Sequence, residues 1–146
     1  MSSLETREVH LTIPVAPEME IAATAQVAAL GEWMEMARDK IDEVKMAVVE
    51  ACINAFEHSQ TPDRKVEIDF RIGFSADAER RAYLEVDVAD SGKGFDPSRV
   101  DTPEFAEKLK SKRKRGWGIR IIESLMDDVR IESGEHGTRI VMRKYR

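Results

Sequence analysis

Three residues near the middle of the chain have types and a spacing that suggest chemistry. Glu50, Asn54 and His58 follow one another at intervals of four residues, so on an α-helix they form one stripe beside the apolar face. A Glu or Asn in such a half-buried position has a desolvation cost unless it is paired, hydrogen-bonded or bound to a metal. Taken alone, the stripe is more often a solvated helix edge that ends in a histidine near the helix dipole.

A second group lies where a predicted strand runs into a loop that contains glycine. Asp90 ends the strand, and Gly92 and Gly94 follow it and would let the backbone approach a ligand closely. A carboxylate at the strand end is able to accept a hydrogen bond from an exocyclic amine, although the same segment is equally typical of an ordinary turn. The chain contains neither a Gly-Lys-Ser/Thr phosphate loop nor a G-x-G-x-x-G motif, so a nucleotide site here would be of another type.

A third group combines glycine with positive charge. Arg115, Gly116, Trp117 and Gly118 stand immediately before a predicted helix, where backbone N–H groups and the helix dipole favour an anion such as phosphate. Residues 112–115 are all basic and would add charge for a polyphosphate, with the two glycines as hinges of a lid. The alternative is a solvated basic loop with a glycine turn.

The periodicity of the apolar residues predicts the elements that would position these groups. Alternation with period 2 predicts five strands, namely Val9–Val15, Lys65–Ser75, Arg80–Asp90, Asp128–Ser133 and Thr138–Tyr145. Helical spacing predicts three main helices and a short helical piece from Pro103, the three being Pro17–Arg38 with Gly31 as a weak point, Ile41–Ser59 and Ile119–Met126. This order predicts an α+β fold, a two-layer α/β sandwich whose antiparallel-rich mixed sheet carries helices on one face.

Composition bounds the class of protein. The 146 residues, with 42% hydrophobic and 35% charged residues, predict a single globular domain over residues 1–146. The sequence shows no apolar run long enough to span a membrane and no signal-peptide pattern, so we expect a cytoplasmic protein without a membrane partner. The single cysteine, Cys52, is expected in the core. A net charge of −5 argues against direct binding of nucleic acid.

In this order the segments resemble the GHKL ATPases, and within them the anti-sigma-factor serine-protein kinases of the RsbW and SpoIIAB type. Residues 50–58 match the N box of these proteins, residues 90–95 the first glycine box, residues 115–127 the second glycine box and its helix, and Gly137-Thr138 the closing motif. The resemblance covers nearly the whole chain and implies the Bergerat ATP-binding fold. The dimerisation helix and phosphoacceptor histidine of sensor histidine kinases are missing, which favours a stand-alone kinase.

The resemblance also implies roles for individual residues. Asn54 would coordinate Mg²⁺ through its amide oxygen, and Glu50 would be the general base that takes the proton from a substrate serine. Asp90 would accept a hydrogen bond from the adenine amino group, with Thr138 in support. His58 would lie near the site or simply end the helix.

The glycine boxes would supply backbone surfaces for ATP. Gly92 and Gly94 would line the base pocket, whereas Gly116 and Gly118 would present backbone donors to the phosphates. Related kinases often carry a lid arginine before the second glycine box. Three residues compete for that role here, and of Arg113, Lys114 and Arg115 we prefer Arg115.

The implied function is that of an ATP-dependent serine-protein kinase and anti-sigma factor. Such a protein phosphorylates an anti-anti-sigma antagonist of the STAS class, sequesters a sigma factor and forms a homodimer. Two alternatives stay open at this point. One is a switch kinase of the same family that acts on a stress-signalling scaffold or a phosphatase, and the other is a non-catalytic ATP-binding interaction module.

Overall fold

A computed structural model describes residues 7–58, 65–90, 117–134 and 137–146. Within these ranges the chain forms five strands and three helices. In chain order they are β1 (Arg7–Pro14), α1 (Glu20–Trp33), α2 (Arg38–His58), β2 (Lys65–Phe74), β3 (Ala82–Asp90), α3 (residues 117–125), β4 (Asp128–Gly134) and β5 (Gly137–Tyr145). The short helix predicted from Pro103 lies outside the described residues.

The five strands form one sheet in the order β1-β2-β3-β5-β4. All four pairings between these strands are antiparallel. Helices α1 and α2 pack on each other, and both contact the sheet. The prediction of a two-layer α/β sandwich with an antiparallel-rich sheet is therefore confirmed.

Alternation along the strands sets which face is buried. In β2 the side chains of Val66, Ile68, Phe70 and Ile72 are fully buried while those between them are exposed or half-buried, because successive side chains point to opposite faces of a sheet. The same alternation in β3 buries Leu84, Val86 and Val88. Asp90 continues that buried set, so its carboxylate belongs to the helix-covered face.

The long helix α2 buries the face predicted from its periodicity. That face consists of Val44, Ala47, Val48, Ala51 and Ala55. Cys52 is also buried, as expected, and burial raises the pKa of its thiol to about 12. The thiolate is the reactive form of cysteine, so this thiol is inert at neutral pH.

Three details of α1 differ from the prediction. The helix ends at Trp33 rather than at Arg38, because Glu35 has a φ of 59°, which is not a right-handed helical conformation. The helix begins at Glu20 rather than at Pro17, because Glu18 has a φ of 71°, which is not a helical conformation. Gly31 is not a weak point but a buried helical residue. A Cβ atom there would lie 2.6 Å from Cγ1 of Ile41, so the glycine permits the close contact between α1 and α2.

The opposite face of the sheet is charged. The carboxylate of Glu85 binds Arg71 at 2.8 Å and Arg143 at 2.9 Å, and His10 binds Asp69 at 2.6 Å on the neighbouring strands. Functional groups that must be enclosed are consequently expected on the helix-covered side. None of the helices in the described part of the chain is long and apolar enough to cross a membrane.

Candidate functional site

The first part of the site is a cleft between α2 and the ends of β3 and β5. Asp90 and Thr138 are direct partners in the register of these two strands. Asp90 is only 5% exposed, so its carboxylate lies inside the cleft rather than in solvent. The cleft is lined by Ala51, Asn54, Ala55, Val88, Asp90, Thr138 and Ile140. Apolar side chains beside a buried carboxylate are the kind of lining that recognises a heteroaromatic ring carrying an amine.

Thr138 is held by a neighbour that sequence reasoning did not identify. Its hydroxyl lies 3.3 Å from the hydroxyl of Ser133 on β4, and these two residues are register partners. The hydroxyl of Ser133 is therefore a neighbour of the Thr138 side chain that lines the first cleft. The signal in the sequence was the short distance between Gly134 and Gly137, since strands joined by a short connection pair with the residues on its two sides opposite one another.

The second part of the site is a cleft between α2 and α3. It is lined by Glu50, Ile53, Asn54, Glu57, Trp117, Gly118 and Ile121. Asn54 lines both clefts, so it stands where they meet. A ligand with an aromatic ring in the first cleft and charged groups in the second would therefore extend across the side-chain amide of Asn54.

Helix α2 supplies the polar groups of the second cleft. Glu50 and Asn54 are half-buried, as the predicted stripe required, and Glu57 is exposed. Glu57 follows Glu50 by seven residues, about two helical turns, and thus lies on the same stripe. That spacing was present in the sequence, but Glu57 was not among the predicted site residues.

Helix α3 approaches this stripe with its first described residues. A Cβ atom on Gly118 would lie 3.3 Å from Oε2 of Glu50, so the backbone of α3 stands directly beside the carboxylate. Trp117 precedes it with 65% exposure, and the guanidinium of Arg120 lies 5.9 Å from the centre of its ring. Glycine at position 118 is what allows this close approach.

Several predicted site residues cannot be placed. Those outside the described residues are Gly92, Gly94, Arg113, Lys114, Arg115 and Gly116, and the side chain of His58 is not described either. The predicted residues that the structure does bring together are Glu50, Asn54, Asp90, Gly118 and Thr138.

The oxygen atoms of the second cleft suit a hard divalent cation. Glu50 and Glu57 contribute carboxylates and Asn54 contributes an amide, all on one helix stripe. Among the described residues no group of three or more His, Cys, Asp or Glu side chains could hold a metal ion by itself. Mg²⁺ is usually bound by one or two protein oxygens together with water and substrate phosphates, so the amide oxygen of Asn54, with carboxylates nearby, fits magnesium that arrives with a nucleotide.

Comparison with known proteins identifies the family. Residues 13–144 match the model of the histidine kinase-like ATPase domain. The serine-protein kinase RsbW of Oceanobacillus iheyensis is 30% identical over 94% of this chain and 85% of its own length. The RsbW of Bacillus subtilis is 31% identical over 94% of this chain and 84% of its own length. The chain belongs to the RsbW family of histidine kinase-like ATPase domains.

A solved structure supports the RsbW fold. A Mycobacterium tuberculosis protein that contains RsbU and RsbW domains matches with a TM-score of 0.65 and 18% identity, over 94% of this chain and 31% of that one. The RsbW family lies within a family of ATPase domains, so use of ATP follows from membership. The roles of individual residues toward ATP remain predictions.

Proposed function

We propose that this chain is a cytoplasmic, single-domain serine-protein kinase that transfers the γ-phosphoryl group of ATP to a serine of a STAS-type antagonist and, in its other binding state, sequesters a sigma factor. The observation that carries the proposal is the position of Asn54. This residue lines both the apolar cleft that holds the buried Asp90 and the polar cleft that holds Glu50. This arrangement supports a single ligand whose base would lie at the first cleft and whose phosphates would lie at the second.

The first cleft would select the adenine base. Asp90 would accept a hydrogen bond from the exocyclic amine, and the apolar side chains of Val88 and Ile140 would contact the ring. The hydroxyl of Thr138, beside that of Ser133, would add a polar contact at the same edge. Guanine carries a carbonyl where adenine carries its amine, so a carboxylate at this place would disfavour it.

The second cleft would hold the phosphates. Asn54 would bind Mg²⁺ through its amide oxygen, and the backbone at Gly118 would face the phosphates from α3. When bound, magnesium would supply positive charge that neutralises the phosphate oxygens. The protein's own contribution is then positioning, which accounts for most of the catalysis in phosphoryl transfer.

Glu50 would act on the substrate hydroxyl. Its carboxylate would take the proton of the serine Oγ as the bond from Oγ to the γ-phosphorus forms and the bond from phosphorus to the bridging oxygen of ADP breaks. The products are phosphoserine, ADP and a protonated Glu50 that returns its proton to solvent. The presence of this carboxylate is the reason to prefer a kinase over a non-catalytic ATP-binding module.

The partners are proposed from the likeness to RsbW. The relatives are named serine-protein kinases, which supports a serine-bearing protein as the substrate. The sigma factor, the STAS antagonist and a homodimeric state follow only from the resemblance. A kinase that acts on a stress-signalling scaffold or a phosphatase would use the same residues and differ in its partner.

Affinity capture from the native host would test the proposal. The tagged chain is incubated with lysate in the presence or absence of Mg-ATP, and bound proteins and phosphoserines are identified by mass spectrometry. We expect a sigma factor among the bound chains and a STAS protein that gains phosphoserine only with Mg-ATP and wild-type protein, not with Glu50→Gln. Capture of a scaffold or phosphatase in place of a sigma factor would favour the alternative, and the absence of new phosphoserine would contradict the kinase proposal.

A further inference from the structure

Lys144 is a buried cation at the opposite end of α3 from the candidate site. Only two charged residues in the described part of the chain are buried, Asp90 in the first cleft and Lys144 on β5. Lysine is almost never fully buried unless its ammonium is paired. Here Nζ donates hydrogen bonds to Oε2 of Glu43 at 2.6 Å and to the backbone carbonyl oxygen of Leu125 at 2.5 Å. The ammonium thus joins three elements, α2, α3 and β5.

The carbonyl group that Lys144 binds lies at the C-terminus of α3. Leu125 is the last residue of that helix, and the final carbonyl groups of a helix have no partner within it. A positive charge at a helix C-terminus is also favourable to the helix dipole. The turn that follows is fastened to β5 as well, because the carboxylate of Asp127 accepts from the N–H of Tyr145 at 2.7 Å. Lys144 is the group that extends this attachment to α2.

Besides the apolar packing that buries Ile122 of α3 in the core, two contacts in the described part of the chain relate α3 to α2, and their spacing matches. One is the link from Glu43 through Lys144 to Leu125; the other is the approach of Gly118 to Glu50. Glu43 and Glu50 are seven residues apart on α2, and Gly118 and Leu125 are seven apart on α3. Seven residues span about 10.5 Å, or about two turns. The link at one end and the close approach at the other are therefore separated by the same length on both helices.

We infer that Lys144 is a positioning residue, which fixes the axial position and rotation of α3 on α2 so that the backbone at Gly118 stays beside Glu50. The inference rests on the proposed function, in which Glu50 is the base. A displacement of about 1 Å in a reacting group is able to cost about 100-fold in rate. Loss of the link should therefore slow phosphoryl transfer in a protein that is still folded.

Lys144→Met is the direct test, because methionine keeps most of the side-chain length without the charge. Glu43 is 39% exposed, so its carboxylate stays hydrated after the change. Lys40→Met is a matched control: Lys40 also joins α2 to β5, through the carbonyl oxygen of Tyr145 at 3.4 Å, but none of its described contacts involves α3. Glu43→Ala removes the other partner of the same link, which is half-exposed. This variant replaces Lys144→Met in the test if Lys144→Met does not fold.

Two readouts keep the positioning role separate from the proposed function. Hydrogen exchange of the α3 amides should rise at least about tenfold in Lys144→Met and Glu43→Ala and stay at the wild-type level in Lys40→Met. Single-turnover transfer to serine should fall at least about tenfold in the first two variants, below their melting temperatures, with ADP affinity little changed.

Wild-type exchange and transfer in both link variants would overturn the inference, as would an equal loss of transfer in Lys40→Met. If wild-type protein transfers no phosphate, the proposed function is wrong, while the exchange measurement still decides whether Lys144 holds α3.

Discussion

Gly118 stands against the carboxylate of Glu50, and a Cβ atom added to the glycine would lie 3.3 Å from Oε2. The contacting atom is the end of a flexible side chain, so Glu50 would have to move by only a few tenths of an ångström. Gly118 is not among the described residues with positive φ, and alanine is therefore compatible with its backbone. A substitution at Gly118 therefore tests two properties separately: the stability of α3 and the position of the Glu50 carboxylate, the proposed base.

Gly118→Ala should make the protein more stable and less active. Alanine exceeds glycine in helix propensity by up to about 1 kcal/mol, whereas displacement of Glu50 should slow transfer by about tenfold. Thermal unfolding and single-turnover phosphorylation of the serine substrate measure the two effects. Gly134→Ala is the control, because nothing lies within 4 Å of a Cβ atom there and activity should not change. Wild-type activity in a folded Gly118→Ala protein would show that the contact does not matter for transfer.

Asn54→Ala should abolish the magnesium dependence of nucleotide binding and leave the fold intact. Asn54 is half-buried and its neighbours Ala51 and Ala55 form the packed face of α2, so truncation is tolerated. Loss of a residue that only hydrogen-bonds to a metal ligand costs about 10- to 100-fold in metal affinity. Loss of a direct ligand should cost at least as much. Titration calorimetry with Mg-ATP, and with ATP in the presence of a chelator, measures this. Tight Mg-ATP binding by the folded variant would remove Asn54 from the metal site.

Asp90→Asn should weaken ATP binding and reduce the preference for adenine. A hydrogen bond to a charged group contributes about 1.5–3 kcal/mol, but an amide still accepts, so we expect a loss near the lower end, about tenfold. Asp87→Asn is a matched control on the same strand, since Asp87 pairs with Arg139 at 3.2 Å on the open face of the sheet. The adenine assignment would be contradicted if Asp90→Asn bound ATP as tightly as wild type and discriminated equally well against GTP.

The strands and helices were predictable because their periodicity records which side faces the core. The alternation of Val66, Ile68, Phe70 and Ile72 is visible in the sequence, and the structure buries all four. The predicted start of α1 was wrong because Glu18 has a positive φ, which a right-handed helix does not allow. Nothing in the local pattern near Pro17 indicates it.

Long-range contacts account for what the sequence could not predict about the site. Motif order indicated Glu50, Asn54, Asp90 and Thr138, yet the direct pairing of Asp90 with Thr138 depends on strand register between segments that are distant in sequence. The link from Glu43 through Lys144 to Leu125 joins three such segments, and no spacing rule predicts it. The glycine boxes at 92–94 and 115–116 lie outside the described residues and stay predictions.

The ion pair on the open face should make stability depend on pH. The hydrogen bond from His10 to Asp69, aided by the negative charges of Asp69 and Glu67, raises the pKa of His10 above its usual 6.5. A raised pKa in the folded state stabilises the protein fully below the unfolded-state pKa, and this contribution is lost as pH rises through the folded-state pKa.

The free energy of unfolding of wild type relative to His10→Gln should therefore be larger at about pH 6 than at about pH 9. Denaturant titration at the two values measures it. The contribution should also shrink in high salt, since both side chains are exposed. A pH-independent difference between the two proteins would mean that the pair does not affect stability.

Glu50→Gln separates catalysis from binding, because the carboxylate is proposed to act on the substrate hydroxyl and not on the nucleotide. Glutamine keeps the size and one acceptor oxygen but removes the basicity. A positioned general base contributes roughly 10²- to 10⁴-fold in rate, and a loose phosphoryl-transfer transition state demands less of its base, so we expect a loss near 100-fold. Asp42→Asn, an exposed change on the same helix, should transfer at the wild-type rate.

The measurement is single-turnover phosphate transfer to the cognate antagonist, alongside equilibrium binding of ATP and of the sigma factor. ATP affinity and partner binding should change by less than about threefold in Glu50→Gln, because the amide fills the same volume beside Gly118. Transfer at the wild-type rate would refute the assignment of Glu50 as base. Loss of ATP binding would instead place Glu50 among the ligands of the metal, since in that case the carboxylate acts before any serine is bound.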